Sequence, residues 1–204
     1  MILLTPGPCM TSDRVRAAAA AQDMNHRDPE FLKVVRAIRS GLLEVQLQTQ
    51  DWTAYLIGGS GTAAMEAMVG SLVGEGPVLV VANGYYSERM ADICAALNIP
   101  YQVLRADWLG SPSRIDLDSV LQRRAFEAVI LTHHETTTGT LNPVAAWAAT
   151  ARRLGCKVLI DAMSSFGADD LDVADVDAIC SSANKCLHGI PGVSFVLVRP
   201  GVRF

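Results

Sequence analysis

The chain has 204 residues, half of them hydrophobic and only 19% charged, and its 21 acidic and 17 basic residues leave a net charge of −4. A mean hydropathy of +0.25 with so few charges excludes a disordered chain, and the 14 arginines are scattered rather than gathered into the run that a nucleic-acid groove needs. A chain of this length buries roughly 70% of the surface its unfolded form exposes, enough for one large domain without staples.

The opening residues Met1, Ile2, Leu3, Leu4 and Thr5 carry no basic stretch and too short an apolar one for export, so no signal peptide is expected. The longest apolar runs, at 77–82 and 145–149, fall far short of the ~18 residues of a spanning helix, so no membrane partner is expected. Cys9, Cys94, Cys156, Cys180 and Cys186 are odd in number and form no Cys-x-x-Cys pair. Reduced thiols in a cytoplasmic protein fit that pattern.

Pro6, Gly7 and Pro8 hold the start of the chain extended, and Thr11 or Ser12 caps a short helix reaching Ala21. A second helix begins near Asp28 and Pro29. Its residues Phe31, Val34, Val35, Ile38, Leu42 and Val45 recur at spacings of three and four, which predicts one buried face. From Tyr55 the rhythm changes. Short apolar runs at 55–57, 78–82, 101–104, 128–132 and 158–160 alternate with helical patterns at 61–72, 86–97, 116–123 and 143–154. Strands alternating with helices predict an α/β fold, a mostly parallel sheet flanked by helices. Two late runs, 176–181 and 193–198, are separated by too few residues for a crossover helix, so one late strand is expected to be antiparallel. The expected division is an N-terminal segment with helices over 1–50 and one large domain over 51–204.

Ligands of open parallel sheets sit outside the carboxyl ends of the strands, so the residues after each apolar run are the ones to read. Gly58, Gly59, Ser60, Gly61 and Thr62 open a helix with two hydroxyls and free amides, which suits a phosphate, or else form an ordinary capped turn. Tyr85 and Tyr86, within Asn83 to Arg89, offer either a stacking plate for a planar ligand or packing at a domain interface. His133, His134, Glu135, Thr136, Thr137 and Thr138 crowd polar groups behind the next run. Adjacent histidines in a strand point to opposite faces, so a metal site is not expected there.

Asp161 stands directly after Val158, Leu159 and Ile160, where a carboxylate is costly without a partner unless it caps the following turn. The last junction runs Ser181, Ser182, Ala183, Asn184, Lys185, Cys186. Of the three lysines, Lys33 belongs to a solvated helix face and Lys157 opens a strand, whereas Lys185 follows an apolar run among small residues. Lost hydration there makes an amine nucleophilic. A phosphate cradle, a stacking plate, a buried carboxylate and such a lysine are together what pyridoxal 5′-phosphate requires.

These residues resemble the class V branch of the fold-type I pyridoxal phosphate aminotransferases. The resemblance is carried by LLTPGP at 3–8, HRDPEF at 26–31, GSGT at 59–62, ETTTGTLNP at 135–143, DAMSSFG at 161–167 and SANKC at 182–186. It implies that Lys185 holds the cofactor as a Schiff base and moves the proton of the 1,3-shift. It also implies that Asp161 pairs with the pyridinium nitrogen, that Tyr86 stacks on the ring, and that Ser60, Gly61 and Thr62 hold the phosphate. Thr136 would face the ring's oxygen side and Asn184 would flank the lysine. Where many members have glycine after the stacking aromatic, this chain has Ser87.

The implied partners are an amino donor and a 2-oxo acid, in a homodimer. DAMSSFG and SANKC resemble the phosphonate-processing members more than the alanine–glyoxylate ones, implying 2-aminoethylphosphonate as donor and pyruvate as acceptor. Family members continue into a smaller C-terminal domain with an arginine for the acidic substrate, and residues 1–204 contain no counterpart. A large domain alone, weakly active by itself, is therefore the expectation. Two other readings stay open: a serine- or alanine-using class V transaminase, and an inactive cofactor-binding or dimerisation module.

Overall fold

The computed structural model describes residues 3–47, 51–110 and 114–202. In chain order, α1 (Asp13–Ala19) and α2 (Pro29–Leu47) precede β1 (Thr53–Gly58), α3 (Gly61–Leu72) and β2 (Val78–Ala82). Next come α4 (Tyr85–Ala96), β3 (Tyr101–Arg105), α5 (Arg114–Arg123), β4 (Ala128–Thr132), and a short pair, β5 (His134–Glu135) with β6 (Thr140–Leu141). The chain continues through α6 (Val144–Arg153), β7 (Lys157–Asp161), β8 (Ala178–Ser182) and β9 (Val193–Val198).

The seven longer strands form one sheet in the order β1-β9-β8-β7-β4-β2-β3. Only β9 runs against the rest. It pairs antiparallel with both β1 and β8, so β1 keeps the direction of the parallel strands. The ten residues between β8 and β9 are too few for a crossover helix, which is why the direction reverses there. The paired β5 and β6, which the apolar pattern did not predict, form a small separate ribbon.

Both faces of the sheet are covered, so β2, β4 and β8 are buried from end to end and read as continuous apolar runs rather than alternating ones. Met65, Met68 and Leu72 of α3 and Met90 of α4 pack on Val78, Val80, Ile130 and Leu159. On the other face Leu117 of α5 and Trp147 and Ala151 of α6 pack on Leu79, Val129, Val158 and Ile160. β3 and β1, at the two edges, keep partly exposed residues.

Two expectations at the N-terminus need correction. The first helix stops at Ala19, because Ala20 already leaves helical geometry with φ −95° and ψ 5°. More significantly, the predicted apolar stripe of α2 is not buried: Val34, Ile38 and Val45 are 43%, 42% and 55% exposed, and only Leu42 and Leu43 go under. The helix meets the sheet through its last turns, where Gln46 accepts from Gly167 N–H at 2.7 Å and donates to Asp169 O at 3.2 Å. Its earlier turns have no described layer to pack on. The expected boundary at 50/51 adjoins residues 48–50, which lie outside the described residues, as do Met1, Ile2, Arg203 and Phe204. Among the described residues no helix is long and apolar enough to cross a membrane.

Candidate active site

Parallel strands deliver their last residues to one edge, and here the ends of β7 and β8 are neighbours. Asp161 closes β7, 2% exposed, with Oδ1 accepting Met163 N–H at 2.9 Å. Burial pushes its carboxyl up from 3.8 to about 6, further raised by Glu135 and opposed by the Met163 hydrogen bond and by Lys185. At the adjoining strand end, one residue past β4, His133 is also buried; its backbone N–H donates to Asp161 O at 2.9 Å, its Nδ1 is 2.9 Å from Ser165 Oγ, and desolvation holds its imidazole below the usual histidine range. His134 Nδ1 is 3.8 Å from Asp169. The partners of both histidines lie on one turn, where Asp169 N–H donates to Ser165 O at 2.9 Å, so the opposite facing expected of adjacent strand residues does not hold here: β4 ends at Thr132, before His133.

Lys185 sits on the turn after β8, half-buried, beneath the N-terminal segment. Its Nζ is 3.4 Å from Gly7 O. Cys9 N–H donates to Asn184 O at 3.0 Å, so residues 7–9 run directly across the lysine loop. Gly7 is required there on two grounds: its φ is +142°, and a Cβ would lie 2.3 Å from Lys185 Cδ. Pro6–Gly7–Pro8, a bend with a cis Gly7–Pro8 bond rather than the extended start expected, therefore lies at the site.

α4 brings Tyr85 and Tyr86 to the same edge, their rings T-shaped with centroids 5.5 Å apart. What holds this helix start is Glu135, fully buried, whose carboxyl accepts from Ser87 N at 2.8 Å, Ser87 Oγ at 2.9 Å and Tyr86 N at 3.3 Å. The other side of the same carboxyl accepts from Thr137 Oγ1 at 2.7 Å. Ser87, in the place where glycine is frequent, accepts the amides of Asn83 and Gly84, each at 3.0 Å. Gly84 is extended rather than left-handed, and its lack of a side chain serves close approach: a Cβ would lie 2.2 Å from Glu135 Cγ. Glu135 thus ties the tyrosine helix to the threonine loop.

A cavity of about 330 Å³ opens between these elements, lined by Gly61, Thr62, Met65, Tyr85, Tyr86, Arg89, Asp161, Met163, Ser182, Asn184 and Lys185. Six of the expected site residues, Gly61, Thr62, Tyr86, Asp161, Asn184 and Lys185, are brought together in it. Ser60 is the N-cap of α3, outside the lining, and its side chain makes no capping hydrogen bond. Thr136 is also outside the lining, with Oγ1 donating to Ser164 Oγ at 2.7 Å. Three residues were not singled out from the sequence. Ser182 ends β8 and Arg89 follows Tyr85 by one helical turn, and each carries a buried atom without a partner, Ser182 Oγ and Arg89 Nε. Glu135 carried no distinguishing signal among six consecutive polar residues.

A mostly parallel sheet whose carboxyl edge gathers an amine, a buried carboxyl, a pair of aromatics and an open helix start defines an α/β domain with its candidate site at the strand ends. The chain belongs to the aminotransferase class-V family, whose model matches residues 14–203. It is 43% identical to the 2-aminoethylphosphonate--pyruvate transaminase of Vibrio vulnificus strain YJ016, over 97% of this chain and 55% of that relative. It is 29% identical, with a TM-score of 0.92, to a solved alanine--glyoxylate aminotransferase from Nostoc sp., covering 98% of this chain and 53% of that one. An aspartate aminotransferase from Thermus thermophilus superposes with a TM-score of 0.88 at 31% identity, covering 98% and 57% respectively. The chain therefore spans about half the length of the relatives it matches.

Proposed function

We propose that residues 51–204 form the cofactor-binding domain of a pyridoxal 5′-phosphate-dependent aminotransferase that moves the amino group of 2-aminoethylphosphonate to pyruvate, preceded by an N-terminal segment and helices over 1–50, of which residues 7–9 cross the lysine loop. The observation that carries this reading is one cavity shared by Lys185, Asp161 and the N-terminus of α3. The residues fit the cofactor. Among the described residues Asp161 is a buried carboxyl without a cation in hydrogen-bond contact, which a pyridinium nitrogen would complete, and Ser182, which lines the same cavity, has a buried Oγ without a partner. The cofactor, when bound, supplies a sink for the electron pair left at the amino-bearing carbon.

Each chain residue then has a defined task. Lys185 Nζ, a half-buried amine on the turn after β8, would be the group that holds the cofactor's aldehyde carbon and would serve as acid and base for the proton at the substrate carbon. Asp161 would pair with the cofactor's ring cation and so keep the sink electron-poor. Gly61 and Thr62 offer the first-turn amides of α3 and a hydroxyl to the phosphate, since helix starts carry unpaired donors and positive partial charge. Tyr86 supplies the stacking face. The phosphonate donor is supported by likeness to relatives named for that reaction. A cytoplasmic homodimer is the reading consistent with free cysteines and with the uncovered face of α2.

Titration with pyridoxal 5′-phosphate tests the cofactor reading. The chain should gain a visible absorbance band and, after borohydride, a covalent adduct at Lys185, and Lys185→Ala should give neither. An adduct persisting in Lys185→Ala would defeat the assignment. Donor choice is read by supplying 2-aminoethylphosphonate, alanine and serine in turn: the band should fade fastest with the phosphonate, and a faster response to alanine or serine would move the chain to that class of donor.

A further inference from the structure

The geometry points to Arg89 as the cation that recognises a phosphorus oxyanion in this cavity, an inference that rests on the cofactor reading above. Arg89 lies three and four residues after Tyr86 and Tyr85 and so shares their face of α4. Its side chain reaches the first turn of α3, where Nη2 donates to Thr62 Oγ1 at 3.3 Å. Its Nε is buried and has no hydrogen-bond partner.

No carboxylate among the described residues forms an ion pair with Arg89. The adjacent Glu88 is engaged by Arg105 at 2.8 Å, and Asp161 makes no ion pair with it across the cavity. Arg89 is half-buried, and its Nε–H has lost water without gaining an acceptor, so the fork is left incomplete at that donor. The surrounding donors define what would complete it. First-turn amides of a helix have no partner inside the helix and aim at the same space. Thr62 Oγ1, because it accepts from Arg89, keeps its own proton for another acceptor. Amides, a hydroxyl and a planar fork of N–H donors converging on one point suit a tetrahedral group with several anionic oxygens rather than a planar carboxylate alone. Lys185 and Arg89 are the cavity's two cationic side chains against the single carboxyl of Asp161.

Such an oxyanion has two sources, the phosphate of the cofactor and the phosphonate of the amino donor, and the experiment separates them. Pyridoxal 5′-phosphate, pyridoxal, inorganic phosphate and 2-aminoethylphosphonate are titrated against the unaltered chain, Arg89→Met and Arg89→Lys, with circular dichroism verifying the fold. If the cofactor is the source, Arg89→Met weakens pyridoxal 5′-phosphate by about 10- to 100-fold, the range for a lost charge-assisted hydrogen bond, leaves pyridoxal unchanged, and Arg89→Lys recovers part of the loss. If the donor is the source, cofactor affinity holds while 2-aminoethylphosphonate weakens by the same factor. Equal losses for pyridoxal and its phosphate, or no loss for any phosphorus ligand, overturn the proposal. An unaltered chain that binds no pyridoxal 5′-phosphate defeats the functional reading instead, and the inorganic phosphate titration then decides Arg89 by itself.

Discussion

Replacing Asp161 with asparagine should make the cofactor-free chain more stable at neutral pH and remove one source of its pH dependence. The carboxyl is fully buried and its folded-state value of about 6 lies above the 3.8 of a solvated aspartate. The folded chain therefore holds this proton more tightly than the unfolded chain does. The stabilisation is fully present below about pH 4 and is lost as the pH rises through about 6, since above that the buried group must ionise. The difference between the two values corresponds to about 3 kcal/mol. Asparagine keeps the shape, stays neutral and escapes this cost. Urea unfolding at pH 4 and pH 7.5 should show the Asp161→Asn advantage growing by about 2 kcal/mol, or ~1 M in midpoint at a typical slope, since part of the difference is already lost at pH 4. Groups common to both proteins, His133 among them, cancel in the comparison. Unfolding curves that shift in parallel for both proteins between the two pH values would refute the claim that Asp161 is buried without a cation.

Glu135→Ala strands the amides of Tyr86 and Ser87 and should cost about 3 kcal/mol in denaturant unfolding, whereas Glu135→Gln, which still accepts at one oxygen, should cost less. The glutamine variant should also lower the pH at which Asp161 titrates, because Glu135 raises that value through space, and an unmoved titration would disprove the coupling. Gly7→Ala meets both a left-handed φ and the Lys185 stem, so it should destabilise by ~1–3 kcal/mol and displace the lysine. Acylation followed by mass spectrometry would report it: labelling of Lys185 relative to the exposed Lys33 should rise, and an unchanged ratio would rule out the close packing.

Much of this site could be read along the chain because each signal was local. Asp161 and Lys185 each follow an apolar run, and a residue's position at the end of a buried strand is visible from its neighbours alone. Glycines and hydroxyls at 58–62 mark a helix start by the same local logic. Glu135 could not be found this way. Its task is defined by amides about fifty residues earlier, brought near only because β2 and β4 are neighbours in the sheet. Arg89 likewise gains meaning from Thr62, on a different helix. The stripe on α2 misled for the converse reason: periodicity reports which face is apolar, and only packing decides whether anything covers it.

The amino-acid sequence by itself determined the alternation of strands and helices, the burial of the central strands and the strand-end placement of Asp161 and Lys185, because periodicity and local chemistry act over a few residues. Strand order, the pairing of β9 with β1 at the sheet edge, the strap of residues 7–9 over the lysine loop and the meeting of Arg89 with Thr62 were decided by the tertiary structure. These are contacts between residues far apart in the chain. They depend on how the sheet closes its hydrogen bonds and which faces its helices cover, and no single segment carries that information.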